Sequence, residues 1–236
     1  MPDVLQIYGG KPFEEAIAFF KNKLSIPTEH WDDLWKMMHT KGFTVAGAMK
    51  EELLDDMRMA VDKAISEGTT LAAFQKDFGA MVVKHGWIYK GGRNWRSKLI
   101  YDTNLRTAYQ AGRYKQMADP DVVALRPYWQ YRHSGSAHPR IEHLGWHNLV
   151  LPHDDPFWDT HYPPNGWGCK CRVVTLSQRD LDKMGKDGVD KAPEIEHREW
   201  KDSKGKKHQV PVGIDPGWDY NVGQGDNFLK GANSNA

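Results

Sequence analysis

Between residues 134 and 170 the chain has almost no periodic apolar pattern and is crowded instead with His, Pro, Gly, Trp and Asp. A stretch of that length inside a compact domain needs something to hold it, either buried aromatics or a metal. It lies in the second of two parts of different character, and the change falls near residue 120. The boundaries expected are a helical docking domain over 1–120, a Cys/His module over 121–222 and a disordered tail over 223–236. The fold class expected is α+β: a helical N-terminal part followed by a small β-containing Cys/His-rich module.

The first part reads as helices. Phe13, Ile17, Phe20 and Leu24 recur at helical spacing, Pro12 suits a first turn and Pro27 closes the segment. Thr28 is placed to cap a helix with Trp31, Leu34, Trp35 and Met38 on one face. A long helix is expected over Phe43 to Ile65, stopped by Gly68, then a short one from Thr70 carrying Leu71, Phe74, Phe78 and Met81. After a glycine-rich loop, Asn94 to Met117 reads as another helix. It carries Arg96, Arg106 and Arg113, and the last two are seven residues apart, so they project the same way. These arginines make either a solvated face or a surface for a phosphate backbone or an acidic partner.

In the second part, Tyr128 to His133, Leu149 to Leu151 and Arg172 to Thr175 are strand candidates, and Ser177 caps a short helix. Residues 185–207 read as a loop or loose hairpin, and 210–223 as turns. Lys and Arg number 32 against 31 Asp and Glu, a net charge of +1, which argues against a surface that grips nucleic acid all over. No apolar stretch approaches the roughly 18 residues of a membrane span, and the N-terminus lacks the pattern of a secretory signal.

Two cysteines cannot make a disulfide scaffold. They stand as Cys169-Lys170-Cys171, downstream of His143 and His147. Two imidazoles and two thiolates suit tetrahedral zinc, and the glycines at 166 and 168 allow the chain to turn so that both sulfurs reach one ion. One structural zinc on His143, His147, Cys169 and Cys171 is therefore the expected centre, with His133, His138, His153 and His161 as rival ligands. The competing account is a dry core in which Trp146, Trp158 and Trp167 cover the cysteines. A zinc-dependent hydrolase or nuclease on the same cluster is the alternative function. Against it, Glu142 before His143 does not make H-E-x-x-H, and Asp154, Asp155 and Asp159 read as a turn around Pro156. The chain has no G-x-S-x-G, no phosphate-binding glycine loop and no G-x-G-x-x-G.

Two segments carry a resemblance. Tyr101 to Arg113 (YDTNLRTAYQAGR) and Asp154 to Arg172 (DDPFWDTHYPPNGWGCKCR) resemble the phage Mu F-like minor head protein family. The second segment matches that family's Pro-Pro…Cys-x-Cys pattern almost fully. An upstream family segment, Asp-x-Arg-Thr-Arg-Pro-x-His, is represented by Ser136 to His143. It keeps Arg140 and His143 but has Ser136, His138 and Ile141 where the family has Asp, Arg and Pro. The resemblance implies a non-enzymatic minor capsid component acting in head morphogenesis at the portal vertex. The portal protein is the implied partner, with major capsid or scaffold protein and packaged DNA as further candidates. The implied location is the virion, after assembly in the host cytoplasm, where thiols stay reduced.

Overall fold

The computed structural model describes residues 13–225. Pro12 and the part of the expected tail beyond Gly225 lie outside the described residues. The described chain mixes helices with small sheets, and it divides into two compact units, one running to Gly112 and the other starting at Arg113. No helix among the described residues is long and apolar enough to cross a membrane.

The first unit holds α1 (Glu14–Lys21), β1 (Leu24–Ser25), a 3-10 turn (Lys36–Thr40), β2 (Gly42–Phe43), α2 (Glu51–Glu67), α3 (Leu71–His85) and most of α4 (Arg93–Met117). Its core is built by the apolar stripes of these helices. Phe20, Phe43, Leu54, Met57, Val61, Phe74 and Phe78 are fully buried, joined by Ile100, Tyr101 and Ala108 of α4. Thr70 caps α3 by accepting the Ala73 N–H, and Gly68 and Gly86 end α2 and α3 in left-handed conformations that glycine adopts without steric cost.

Two helices expected from periodicity are shorter or missing. No α-helix follows Thr28, because the Asp33 carboxylate accepts the backbone N–H groups of Glu29 and His30 at 3.0 and 2.8 Å and offers the chain a local turn instead. The helix expected from Phe43 begins only at Glu51. Phe43 is drawn into a parallel pairing with Ser25, and the chain turns at Gly47 with φ 82° before the helix starts.

The second unit contains α5 (Pro120–Leu125), β3 (Tyr128–Arg132), α6 (Ile141–Gly145), β4 (Val150–Pro152), α7 (Phe157–His161), β5 (Arg172–Leu176), α8 (Gln178–Lys183), β6 (His197–Lys201) and β7 (Lys207–Pro211). The three strand candidates form one antiparallel sheet, ordered β4-β3-β5, with Trp129 opposite Leu151 and Thr175, and Tyr131 opposite Val173. Strand alternation puts Trp129 and Tyr131 on one face. There Trp129 meets Tyr114, Trp158 and Tyr162 at ring separations of 5.5 to 5.9 Å, and Tyr131 meets Trp146 at 5.6 Å. On the other face Val150 and Leu176 pack with Leu181 of α8, whose N-terminus is closed by a capping box between Ser177 and Asp180. The segment read as a loop or loose hairpin contains a regular one, β6 paired antiparallel with β7. The tail expected from residue 223 is described as far as Gly225, where Asn221 Oδ1 caps the 3-10 turn Val222–Gln224.

Two outcomes follow from the packing of the first unit. A helix-interior Gly→Ala change ordinarily stabilises by about 1 kcal/mol. A Cβ at Gly112 would stand 2.8 Å from both the Ala16 backbone nitrogen and the Phe13 ring. Gly112→Ala is therefore expected to lower the urea midpoint. An unchanged or higher midpoint would show that α1 gives way freely. The second concerns Lys23, buried with its Nζ donating to the His39 carbonyl at 2.6 Å. Burial pulls its pKa down from 10.5 to about 7. Between those values the unfolded chain holds a proton that the folded one has released, so stability rises with pH across that window. Urea titrations at pH 7 and at about pH 9 should show the increase, and Lys23→Met should flatten it.

Candidate metal centre

Three of the four expected ligands converge. His143 is the third residue of α6, and Cys171 immediately precedes β5, in phase with Val173 and so on the Tyr131 face of the sheet. Cys169 lies two residues earlier, after a turn at Gly168 with φ 69°. The ligand atoms of His143, Cys169 and Cys171 all lie within 4.8 Å of one another, and all three residues are buried. The sulfurs of Cys169 and Cys171 stand 3.9 and 3.5 Å from His143 Nδ1. Both thiols are free of disulfide bonding.

The Cys-x-Cys turn is held by its neighbours. Gly166 has no room for a side chain: a Cβ there would fall 2.3 Å from Asp215 Oδ2 and 2.9 Å from Arg140 Nη1. Asp215 Oδ2 accepts the Trp167 N–H at 2.8 Å and Arg140 Nη2 at 2.7 Å, and Arg140 also reaches the Trp167 carbonyl at 3.2 Å. Asn165, fully buried, accepts the Tyr131 hydroxyl at 2.9 Å, while its carbonyl accepts the Asp215 N–H at 3.0 Å. Gly166 in turn accepts the Cys169 N–H at 3.1 Å. The Asn-Gly-Trp-Gly sequence before the cysteines is thus a bracketed turn. Arg140 and His143, three residues apart, address its two ends.

His143 is oriented from behind. Its Nε2 donates to the Gly213 carbonyl at 2.9 Å, which leaves Nδ1 with its lone pair facing the two sulfurs. Trp146 stacks on the imidazole at 5.1 Å. Gly213, at φ 88°, lies so close to α6 that a Cβ would meet Glu142 Cβ at 2.6 Å. The hydrogen bond between the two thiols holds Cys171 down to about 7 and pushes Cys169 up to about 12, with burial adding to the rise at Cys169. Burial also raises the Tyr131 phenol well above its usual range, beside both cysteines.

This donor set fits zinc. Bond lengths of about 2.3 Å to sulfur and about 2.0–2.1 Å to nitrogen give tetrahedral edges of about 3.5 Å between S and N. The two S···N separations lie at or slightly above that value. A bound metal would supply charge neutralisation for two thiolates and a cross-link between α6 and the Cys-x-Cys turn.

The remaining expected residues lie elsewhere. His147 is not in the group: its Nδ1 accepts the His133 N–H at 3.1 Å, on the far side of the turn that ends α6. The H-x3-H spacing fails because α6 stops at Gly145, so residues 143 and 147 do not share a helical face. His161 is buried and held neutral by that burial, with a pKa of about 4. Its ring stacks on Phe157 at 4.2 Å and its Nδ1 meets Thr160 Oγ1. His153 lies beside Asp154, and His138 is exposed. Asp155 accepts the Phe157 N–H at the start of α7, and Asp159 accepts from Gln224, so the acidic run does the work of a turn. Of the three tryptophans, Trp146 covers His143, Trp158 packs on Trp129, and Trp167, 38% exposed, packs on Trp218.

Arg96, Arg106 and Arg113 of α4 are half-buried. Arg96 donates to the Ala46 carbonyl at 2.6 Å and lies over the Trp87 ring, so its guanidinium is used inside the first unit. Arg113 donates to Gln116 at 2.8 Å, and Arg106 Nε is buried without a hydrogen-bond partner among the described residues. Sequence reasoning passed over Gly213 and Asp215. They belong to a segment legible only as turn chemistry, and nothing local marks that its carbonyl and carboxylate close a distant site.

The chain is 39% identical over 188 residues to the protein of Escherichia phage Mu whose name assigns it to capsid assembly, protein F; the match covers 74% of this chain and 42% of that protein. It is 35% identical over 221 residues to the Mu-like prophage FluMu F protein of Haemophilus influenzae, covering 83% of this chain and 53% of that one. The chain thus spans about half the length of the curated relatives it matches. No solved structure matches it. Residues 55–174, just over half of the chain and including His143, Cys169 and Cys171, match the family described as Phage Mu protein F like protein, and the chain belongs to that family.

Proposed function

We propose that this protein is a structural component of a phage head that acts in head morphogenesis by associating with the portal vertex, and that it is not an enzyme. The observation that carries the reading is its similarity to protein F of phage Mu, whose name assigns it to capsid assembly. On this reading its place is the virion, reached by assembly in the host cytoplasm, with the portal protein as partner and major capsid or scaffold protein as further contacts. Packaged DNA is a weaker candidate partner, since Arg96 is engaged within its own unit. The helical unit supplies docking surface. Val83 and Ile88, at and just beyond the end of α3, are 81% and 95% exposed, and Met59 on α2 is 56% exposed. Apolar side chains this open are what an interface would cover.

The second unit contributes a rigid module, which we propose is fastened by one structural zinc ion on the His143, Cys169 and Cys171 group. The near-tetrahedral S···N spacing and the buried, preoriented imidazole support this.

Co-expression with the cognate portal protein, followed by size exclusion and mass measurement, tests the function. A stable complex is expected, and Val83→Glu with Ile88→Glu should weaken it at least tenfold without lowering the melting temperature. Separate elution at micromolar concentration, together with absence from purified virions, would overturn the reading. For the metal, protein made without chelator or His-tag should carry about one equivalent of zinc. Cys169→Ser should lose it and melt several degrees lower. Less than about a tenth of an equivalent, with no melting change on adding EDTA, would leave an aromatic core without metal.

A further inference from the structure

Like charges set directly opposite each other on paired strands repel, because their Cβ atoms stand only about 4.5–5.5 Å apart. The last pair in the β3–β5 register is of this kind. Arg132 faces Arg172, and both side chains project from the same face of the sheet. Arg172 is exposed and Arg132 is half-buried, so solvent reaches the pair. Among the described residues no ion pair joins either guanidinium to a carboxylate. Arg132 is held by neutral acceptors instead. Its Nη1 donates to Gln130 Oε1 and to Asn148 Oδ1, both at 3.1 Å, which orients the guanidinium.

Two histidines adjoin the pair. His147 is exposed, and burial of its ring together with the charges of Arg132, His133 and Arg172 holds its pKa below the ordinary value. Its Nδ1 accepts the His133 N–H at 3.1 Å, and His133 Nδ1 accepts the Gly135 N–H at 3.1 Å. The two rings lie 6.5 Å apart, and in its neutral form each carries its proton on Nε2. This end of the sheet therefore gathers hydrogen-bond donors: two guanidiniums and two imidazole N–H groups.

We infer that Arg132 and Arg172, with His147 beside them, bind the phosphodiester backbone of a nucleic acid. The planar fork of arginine matches phosphate oxygens. A phosphodiester offers two unesterified oxygens, one for each guanidinium, and its charge offsets the repulsion between them. A backbone contact of this kind positions the duplex without reading its bases. The inference takes up the packaged-DNA contact of the reading above and moves it from α4 to the sheet. Portal binding does not enter it and is tested separately by co-expression.

Fluorescence anisotropy of a short labelled DNA duplex, titrated with the full chain at low salt, reads the contact. Binding should be independent of sequence and should weaken as salt is added. Arg172→Glu sets a carboxylate opposite Arg132, so the melting temperature should hold or rise. Affinity for the duplex should nevertheless fall roughly tenfold, and the slope of log K against log salt should flatten by about 1. Arg172→Gln should weaken binding in the same direction. Lys76→Glu, the same charge change at an exposed position of α3, should leave affinity within about twofold. Unchanged binding in Arg172→Glu, or an equal loss in Lys76→Glu, would overturn the inference. A melting temperature lowered by Arg172→Glu would mark the arginine pair as structural and overturn it too. Polyglutamate competing as well as unlabelled duplex at equal charge would assign the surface to an acidic protein, and binding of inorganic phosphate without duplex would assign it to a free anion. Either result overturns the nucleic-acid assignment.

Discussion

Asp215 ties together three parts of the chain that are far apart in sequence. One oxygen of its carboxylate accepts from Arg140, 75 positions earlier, and from the Trp167 N–H, 48 positions earlier, while its own N–H is given to the Asn165 carbonyl. Charge-assisted hydrogen bonds of this kind are stronger than neutral ones and geometrically demanding. They close a long irregular segment at the point where the Cys-x-Cys turn begins, and they leave at Gly166 a gap that no side chain fits. The positions of Cys169 and Cys171 follow from that closure.

Metal and aromatic core entered as rival explanations for the order of residues 134–170, and the fold combines their elements. Trp146 lies against His143 on one side and against Tyr131, Phe157 and His161 on others, so the imidazole is the end of an aromatic layer that starts at Trp129 on β3. Aromatic pairs contribute on the order of 0.5–1.5 kcal/mol beyond the area they bury. That layer positions the imidazole in a water-poor setting, where an S₂N donor set is held ready. In the proposed reading, the ion would add to this packing a cross-link that apolar contacts cannot supply.

What the sequence disclosed depended on how local the cause was. The stripes of α2, α3 and α4, the stop at Gly68, the caps at Thr70 and Ser177 and the three strands of the sheet are set by periodicity and by residues within one turn, and they were legible. The misread stretches were decided elsewhere. Phe43 lies in a strand because Ser25 pairs with it, and 29–35 is a turn because one carboxylate, Asp33, captures two N–H groups. In the candidate centre, the residue types and the cysteine positions could be read from the chain. The exclusion of His147 could not, since it depends on α6 ending at Gly145. Nor could the carbonyl of Gly213, because a backbone acceptor has no sequence signature.

The β6–β7 hairpin differs from the rest of its unit. Its turn is closed from within: Asp202 accepts the N–H groups of Lys204 and Lys206 and pairs with His208. Most of its side chains are exposed, and burial begins only at Val210 and Pro211 near its base. A segment that carries its own hydrogen bonds and lends little to the core can be lengthened at the tip without disturbing what lies beneath. The hairpin between Asp202 and Lys206 is therefore the natural place on this protein to graft an epitope or a fluorophore, leaving the His143, Cys169 and Cys171 group untouched.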